Sequence, residues 1–238
     1  AGSMTFCSDM TSPPVEFMTP EGQPTGSDID IGTAIAKVFG VKAEWKNIPF
    51  SGLIPALLAH HCDVVISQMF DKPKRREVID MVDYMYSSES LLVRSGDPEH
   101  IHSLDDLSGK KVAVENGTTI FELIGKQNDK FKAEGKPPAS IVVYPKDTDA
   151  LLALRSGQVD VYGTTLETAA YYMSKAPNTF EVAGPPFHRM LTAIGLNKND
   201  TGMKAAIQTA VDELQKNGTI PAILKKWGIG GDRLDSKG

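Results

Sequence analysis

The chain carries only two cysteines, Cys7 and Cys62. Two thiols make neither a zinc site nor a CxxC redox pair. They either close a single disulfide or sit as two small apolar residues in neighbouring strands, and their spacing alone leaves both open. Long apolar runs are missing as well: none approaches the roughly 20 residues of a membrane helix. A dense basic face is also absent. The net charge is −5, and phosphate-backbone binding needs clustered lysine and arginine, so the composition argues against nucleic acid as a partner. There is no low-complexity tract, no Ser-His-Asp order, no P-loop and no metal-ligating cluster. No catalytic set, metal or cofactor is therefore expected. No secretory leader opens the chain either; "AGSMTF" reads as the start of a mature or trimmed protein.

What is present is ample for a folded core. Of 238 residues, 41% are apolar, enough for one or two globular domains. Strand and helix patterns alternate. "MTFCS" reads as a strand. "SDIDIGTAIAKVFG" reads as a helix capped by Ser27 or Asp28 and stopped at Gly40. "VKAEWKNI" is a second strand, "FSGLIPALLAHH" a helix with Pro55 near its first turn, and "CDVVIS" a buried strand. This order predicts an α/β fold with a parallel sheet covered by helices on both faces. Around Val93 to Gly96 the pattern restarts, with "SLDDLSGKKVAVENGTT" and then "DTDALLALRSGQVDVYGTT". The stretches "LIPALLAHHCDVVIS" and "DALLALRSGQVDVYG" share Ala-Leu-Leu-Ala, a turn, Asp-Val and a short apolar strand. Each half thus repeats one helix–turn–strand unit. After about Pro186 come a strand, "MLTAIGL", and two helices.

Two α/β lobes follow from this reading. Ligands of such sheets sit outside the carboxyl ends of the strands. The segments after strand ends are Ser8–Met10, Ser67–Met69, Glu115–Thr119 and Gly163–Thr165. They come from both lobes, which places the expected site in a cleft between them. In "VAVENGTTIFEL" a strand turns on Gly117 into a helix opened by Thr118 and Thr119. Such a start exposes backbone N–H groups suited to an anion.

Five blocks, in this order and spacing, resemble the periplasmic solute-binding proteins of polar amino-acid ABC transporters (family 3, type II fold). They are "CSDMTSPPVEFM" with "PTGSDIDIGTAIAKVFG", "FSGLIPALLAHHCDVVISQMFDKPKRREVIDMVDYMY", "SLDDLSGKKVAVENGTT", "DALLALRSGQVDVY" and "LQKNGTIPAILKKWGI". The resemblance spans nearly the whole chain. It implies a lobe of residues 1–92 with 187–238 and a lobe of 93–186, each a mostly parallel sheet flanked by helices. Two hinge strands would join them near Ser90–Arg94 and Ala183–Phe187, and the lobes would close on ligand by hinge motion. It also implies a location in the periplasm, or outside the cell held at the membrane, either of which suits a disulfide. The partners it implies are a small-molecule ligand, an amino acid or derivative, and the permease of an ABC importer served by a monomer.

The resemblance assigns residues as well. Arg75, in "DKPKRRE", would hold the ligand α-carboxylate, for which a guanidinium fork is matched; otherwise it is one solvated charge in a basic run. The N–H groups of Thr118 and Thr119 and the Thr119 hydroxyl would take the other carboxylate oxygen, or would simply cap a helix. Asp9 would face a ligand amine, or cap nearby backbone. Phe50 would line the pocket, or belong to the core. Ser67, Gln68 and Met69 follow a strand end, and Ser67 and Gln68 would present a carbonyl and an amide.

Departures from the family pattern bear on the ligand. Ser12 stands where an aromatic is common, and Phe70 stands where a hydroxyl donor is common. Thr165 stands where an aspartate would pair the ligand α-ammonium, and threonine carries no charge for that task. Glu115, Glu167 or Asp9 would have to substitute. Acids beside Phe50 and Phe70 suit a cation. The expected ligand is therefore a zwitterion with a cationic or N-substituted group, opine-like conjugates included. Two other readings use the same fold. One is a cyclohexadienyl-dehydratase-like enzyme with Glu115 or Glu167 as general acid. The other is a receptor sensory domain, against which stands the polar tail "WGIGGDRLDSKG". His60 and His61 are expected in solvent, and His188 near a hinge.

Overall fold

The computed structural model describes residues 2–234. The chain divides into two compact units. One holds the residues up to Ser87 and those from Met190 onward; the other is Ser88–Arg189. The strands β7 (Ile79–Arg94) and β12 (Phe187–Asn197) pass from one unit into the other.

The first unit contains β1 (Ser3–Ser8), the short strands β2 (Thr11–Ser12), β3 (Glu16–Met18) and β4 (Pro24–Thr25), and helix α1 (Ser27–Val38). Then follow β5 (Lys42–Asn47), α2 (Leu53–Leu58), β6 (Val64–Val65) and the single turn α3 (Pro73–Arg76). Helices α7 (Thr201–Lys216) and α8 (Thr219–Lys226) complete it after β12. Its sheet runs β5-β1-β6-β12-β7. β1 lies parallel to both β5 and β6, and β12 is antiparallel to β6. Flanked on both sides and covered on both faces, the end of β1 is fully buried at Phe6, Cys7 and Ser8, as continuous burial of a central parallel strand requires. One face packs Phe6, Ile31, Ile35 and Val64 with Ile207, Val211 and Leu224 of α7 and α8. The other packs Leu53 and Leu57 of α2 with Cys7, Cys62, Val65 and Ile79. Cys7 and Cys62 are joined as a disulfide there.

The second unit adds β8 (Lys111–Glu115), α4 (Thr119–Ala133), β9 (Ser140–Tyr144), α5 (Asp147–Arg155), β10 (Val161–Thr165), α6 (Leu166–Lys175) and β11 (Phe180–Val182). Its sheet runs β7-β10-β8-β9, with β8 parallel to β9 and β10, and β7 antiparallel to β10 and β11. The sequence echo is real: α2 leads into β6 and α5 into β10 by the same helix–turn–strand step.

Two local expectations are corrected. Helix α1 is not capped by Ser27 or Asp28; its N-cap is Gly26, at φ 126°, with no side-chain cap. A Cβ at Gly26 would lie 2.2 Å from the Val15 carbonyl oxygen, so only glycine fits that approach. The "FSGLIPALLAHH" segment is not one helix either. It opens as a 3-10 turn at Phe50–Gly52, and α2 stops at Leu58 before His60 turns left-handed at φ 55°.

Candidate functional site

In the first unit the candidate residues form a connected set built from strand ends and the α3 turn. Pro73 opens α3, where its missing N–H costs nothing. The basic run around it splits. Arg76 pairs with Asp71 at 2.7 Å and stays exposed, whereas Arg75 is only 7% exposed. Arg75 Nη1 donates to the Phe70 carbonyl at 2.8 Å, and its guanidinium carbon lies 5.3 Å from the Phe50 ring centroid. A buried, oriented guanidinium is the arrangement that recognises a carboxylate, and a solvated charge is not.

Asp9, 2% exposed, acts as a clamp within the unit. Its Oδ1 accepts from the Thr11 hydroxyl at 2.9 Å and its Oδ2 from the Phe50 N–H at 3.0 Å. It thereby holds Phe50, which is half-buried, beside Arg75. The Asp9 N–H donates to Ser67 Oγ at 2.9 Å. Gln68 sits at φ 43°, and its side-chain amide donates to Ser87 Oγ at 3.0 Å. The Met69 side chain packs with Cys7, Leu53 and Ile79 in the core, and its carbonyl accepts the Ala193 N–H at 2.9 Å. Phe70 is 4% exposed and bridges to Thr192.

Sequence reasoning missed the groups beneath this set. Asp28, read as a helix cap, is fully buried. It accepts the Gln68 N–H at 2.8 Å and the Tyr84 hydroxyl at 2.8 Å. Glu16, 2% exposed, accepts from the Ser67 hydroxyl at 3.3 Å. An acid beside a glycine-rich helix start reads as a cap because its partners lie far away in sequence.

In the second unit, β8 and β10 run parallel, so Glu115 and Thr165 end them at the same edge. Thr118 is the N-cap of α4: its hydroxyl donates to the Glu115 carbonyl at 2.8 Å and accepts the Phe121 N–H at 3.4 Å. Thr119 Oγ1 is buried with no hydrogen-bond partner among the described residues. Thr165 caps α6, accepting the Thr168 N–H at 3.4 Å. Directly opposite Thr165 on β7 stands Glu89, another residue the sequence did not flag. Glu89, Glu115 and Glu167 are each buried to within 4% exposure. Among the described residues no group of three or more histidine, cysteine or acidic side chains is arranged to hold a metal. No helix among them is long and apolar enough to cross a membrane.

Comparison with known proteins agrees with this architecture. Residues 4–230 match the bacterial extracellular solute-binding proteins, family 3. The L-cystine-binding protein TcyJ of Escherichia coli (strain K12) is 30% identical over 227 residues, covering 95% of this chain and 82% of the relative. An ancestral arginine-binding protein solved with arginine superposes with a TM-score of 0.88 at 33% identity, over 95% of this chain and 98% of that one. The ancestral amino acid-binding protein AncCDT-1, a precursor of cyclohexadienyl dehydratase, gives 0.86 at 29% identity, with 95% of each chain covered. With the match running over almost its whole length and the type II architecture in each unit, the chain belongs to the bacterial extracellular solute-binding proteins, family 3.

Proposed function

We propose that the protein captures an amino acid or amino-acid derivative with a cationic or N-substituted group, opine-like conjugates included, and delivers it from the periplasm to an ABC importer as a monomer. The two lobes close on the ligand by hinge motion. The observation that carries this reading is Thr119 Oγ1. A buried hydroxyl normally finds a partner, and this one, at the head of the 15-residue helix α4, has none among the described residues. A ligand carboxylate satisfies the hydroxyl and the N–H groups of that helix start together. Arg75, buried and oriented over Phe50, supplies the second set of donors to the carboxylate.

The choice of a cation rests on charge. Thr165 offers no carboxylate, while Glu89, Glu115 and Glu167 are buried along the edge where β8 and β10 end. Among the relatives are a cystine-binding protein and a protein solved with arginine, ligands with two ammoniums or a guanidinium, beside others named for histidine and glutamine.

A thermal-shift panel tests the reading. It contains the common amino acids, arginine, ornithine and cystine, N-substituted and opine compounds, and prephenate. Ligand binding to the folded state raises the melting temperature by mass action. Shifts confined to cationic or N-substituted compounds are expected. A shift with neutral or acidic amino acids alone overturns the charge assignment, and consumption of prephenate moves the protein to elimination chemistry.

A further inference from the structure

The acids beneath the Ser67–Gln68 segment form a pair with a role of its own. Glu16, in β3, and Asp28, in the first turn of α1, are charge neighbours that reach adjacent residues of one segment, Glu16 through the Ser67 hydroxyl and Asp28 through the Gln68 N–H. Both are buried. Asp28 is already supplied with donors, the Gln68 N–H and the Tyr84 hydroxyl. Glu16 Oε1 has the Ser67 hydroxyl. Glu16 Oε2 is fully buried, and no donor faces it among the described residues. Two ionised carboxylates have only acceptors to offer each other, so a hydrogen bond between them needs a proton. A proton held between the two carboxyls supplies the donor that the orphaned Oε2 lacks.

The surroundings favour that proton. Burial pushes the Glu16 carboxyl well above its usual range, and the charges of Asp28 and Asp9 push it further. Burial raises Asp28 to about 6, against the opposing pull of its donors. The titratable groups facing the pair are Asp9 from the end of β1 and Tyr84 from β7, both acids. Neither favours a second negative charge. The two carboxyls titrate as a unit, and one proton is held above the ordinary carboxylate range.

We propose that Glu16 and Asp28 share one proton and that the protonated pair is the positioning element for the Ser67–Gln68 segment and, through Ser67, for Asp9. That this positioning serves ligand capture rests on the function proposed above. The geometry gives the route. Gln68 is held left-handed, a strained backbone for a non-glycine residue, by its N–H bond to Asp28. Ser67 Oγ receives the Asp9 N–H while donating to Glu16, and Asp9 fixes the Phe50 N–H. Loss of the proton places two charges in a dry site and removes the bond that joins Glu16 to Asp28. The sign follows from linkage. An acid raised on folding stabilises the fold fully below its unfolded value and loses that contribution as pH rises through the raised one.

The experiment uses the ligand-free full chain and the variant E16Q, which keeps a neutral donor in place of the shared proton. At a pH where exposed carboxyls are ionised, the infrared spectrum of the wild type shows a protonated carboxyl C=O band, and E16Q loses it. The backbone amide resonance of Gln68 moves in the wild type as the pH is raised through the loss of that proton, and is flat over the same range in E16Q. A wild type without the band, a band that survives in E16Q, or a Gln68 amide indifferent to pH in the wild type overturns the proposal. The wild-type measurements decide it even if E16Q does not fold. Neither readout involves ligand, so an absence of amino-acid binding refutes the proposed function and leaves the proton pair standing.

Discussion

The guanidinium of Arg75 lies over the ring of Phe50, 5.3 Å from its centroid, and donates to the Phe70 carbonyl at 2.8 Å. One face of the fork is thus fixed by an aromatic and one nitrogen by backbone. Lysine reproduces neither constraint, because it is a point charge on a flexible stem. Arg75→Lys is expected to weaken binding of arginine, or of the ligand found by thermal shift, by about 1.5–3 kcal/mol, the range for hydrogen bonds to charged groups. Titration calorimetry reads the loss. An unchanged affinity would remove Arg75 from the site.

Thr119→Val separates binding from folding. Its Oγ1 makes no hydrogen bond among the described residues, so removing it leaves no intramolecular partner stranded. The melting temperature of the free protein is expected to hold or rise slightly. The affinity for a carboxylate ligand is expected to fall by about tenfold, one hydrogen bond's worth. A variant that loses stability and affinity together would show that the hydroxyl belongs to the fold.

Much of the architecture was legible because it is written locally. The period of "SDIDIGTAIAKV", the repeated Ala-Leu-Leu-Ala unit and the buried "CDVVIS" each carry their structure within a dozen residues. That Asp9 and Ser67 in the first unit, and Glu115 and Thr165 in the second, stand at strand ends followed from strand–helix order alone. Arg75 was different. Its sequence neighbours are charged, and only resemblance separated it from a solvated run; the structure makes the distinction by burial. Asp28 was misread because its partners, Gln68 and Tyr84, lie 40 and 56 residues away. Nothing in a helix-start pattern reports a tertiary acceptor. Glu89 escaped for the same reason, since its significance comes from strand register against Thr165.

The Cys7–Cys62 bridge also depended on register. Cys7 pairs with Val65 across β1 and β6, which brings the chain at Cys62 back beside β1. The bridge closes a 55-residue separation that includes α1, β5 and α2. Constraining a loop of that size in the unfolded chain is worth about 2–5 kcal/mol. The C7A/C62A double variant is expected to lose stability in that range by urea unfolding. A midpoint unchanged from the wild type would mean that the bridge contributes nothing to the first unit.

Two glycines with left-handed backbone give a matched pair. Gly22 lies at φ 76° with nothing within 4 Å of an added Cβ. Gly26 lies at φ 126° with the Val15 carbonyl oxygen 2.2 Å from that position. Gly22→Ala is expected to cost about 1–2 kcal/mol, the conformational penalty alone. Gly26→Ala is expected to cost more, because the obstacle is backbone and the α1 start must shift. Asp28 sits two residues on and anchors Gln68, so the shift also reaches the Ser67–Gln68 segment. Thermal melts of the two variants give the ordering, and equal losses would refute it.

Thr165→Asp probes the ligand charge most directly. Aspartate caps a helix start as well as threonine does, so the α6 cap is retained. Glu89 stands directly opposite on β7, however, and like charges facing across a strand pair are destabilising by about 0.2–1 kcal/mol. The free variant is therefore expected to melt slightly lower than the wild type. A bound ammonium relieves that repulsion, so the deficit is expected to vanish on ligand binding. The same change adds the carboxylate that an ordinary α-ammonium requires. Affinity for a neutral amino acid such as L-glutamine is then expected to rise, measured by calorimetry against the wild type. If L-glutamine gains nothing and the melting deficit persists with ligand, residue 165 does not face the ligand, and the preference for an unusual cation loses its main support.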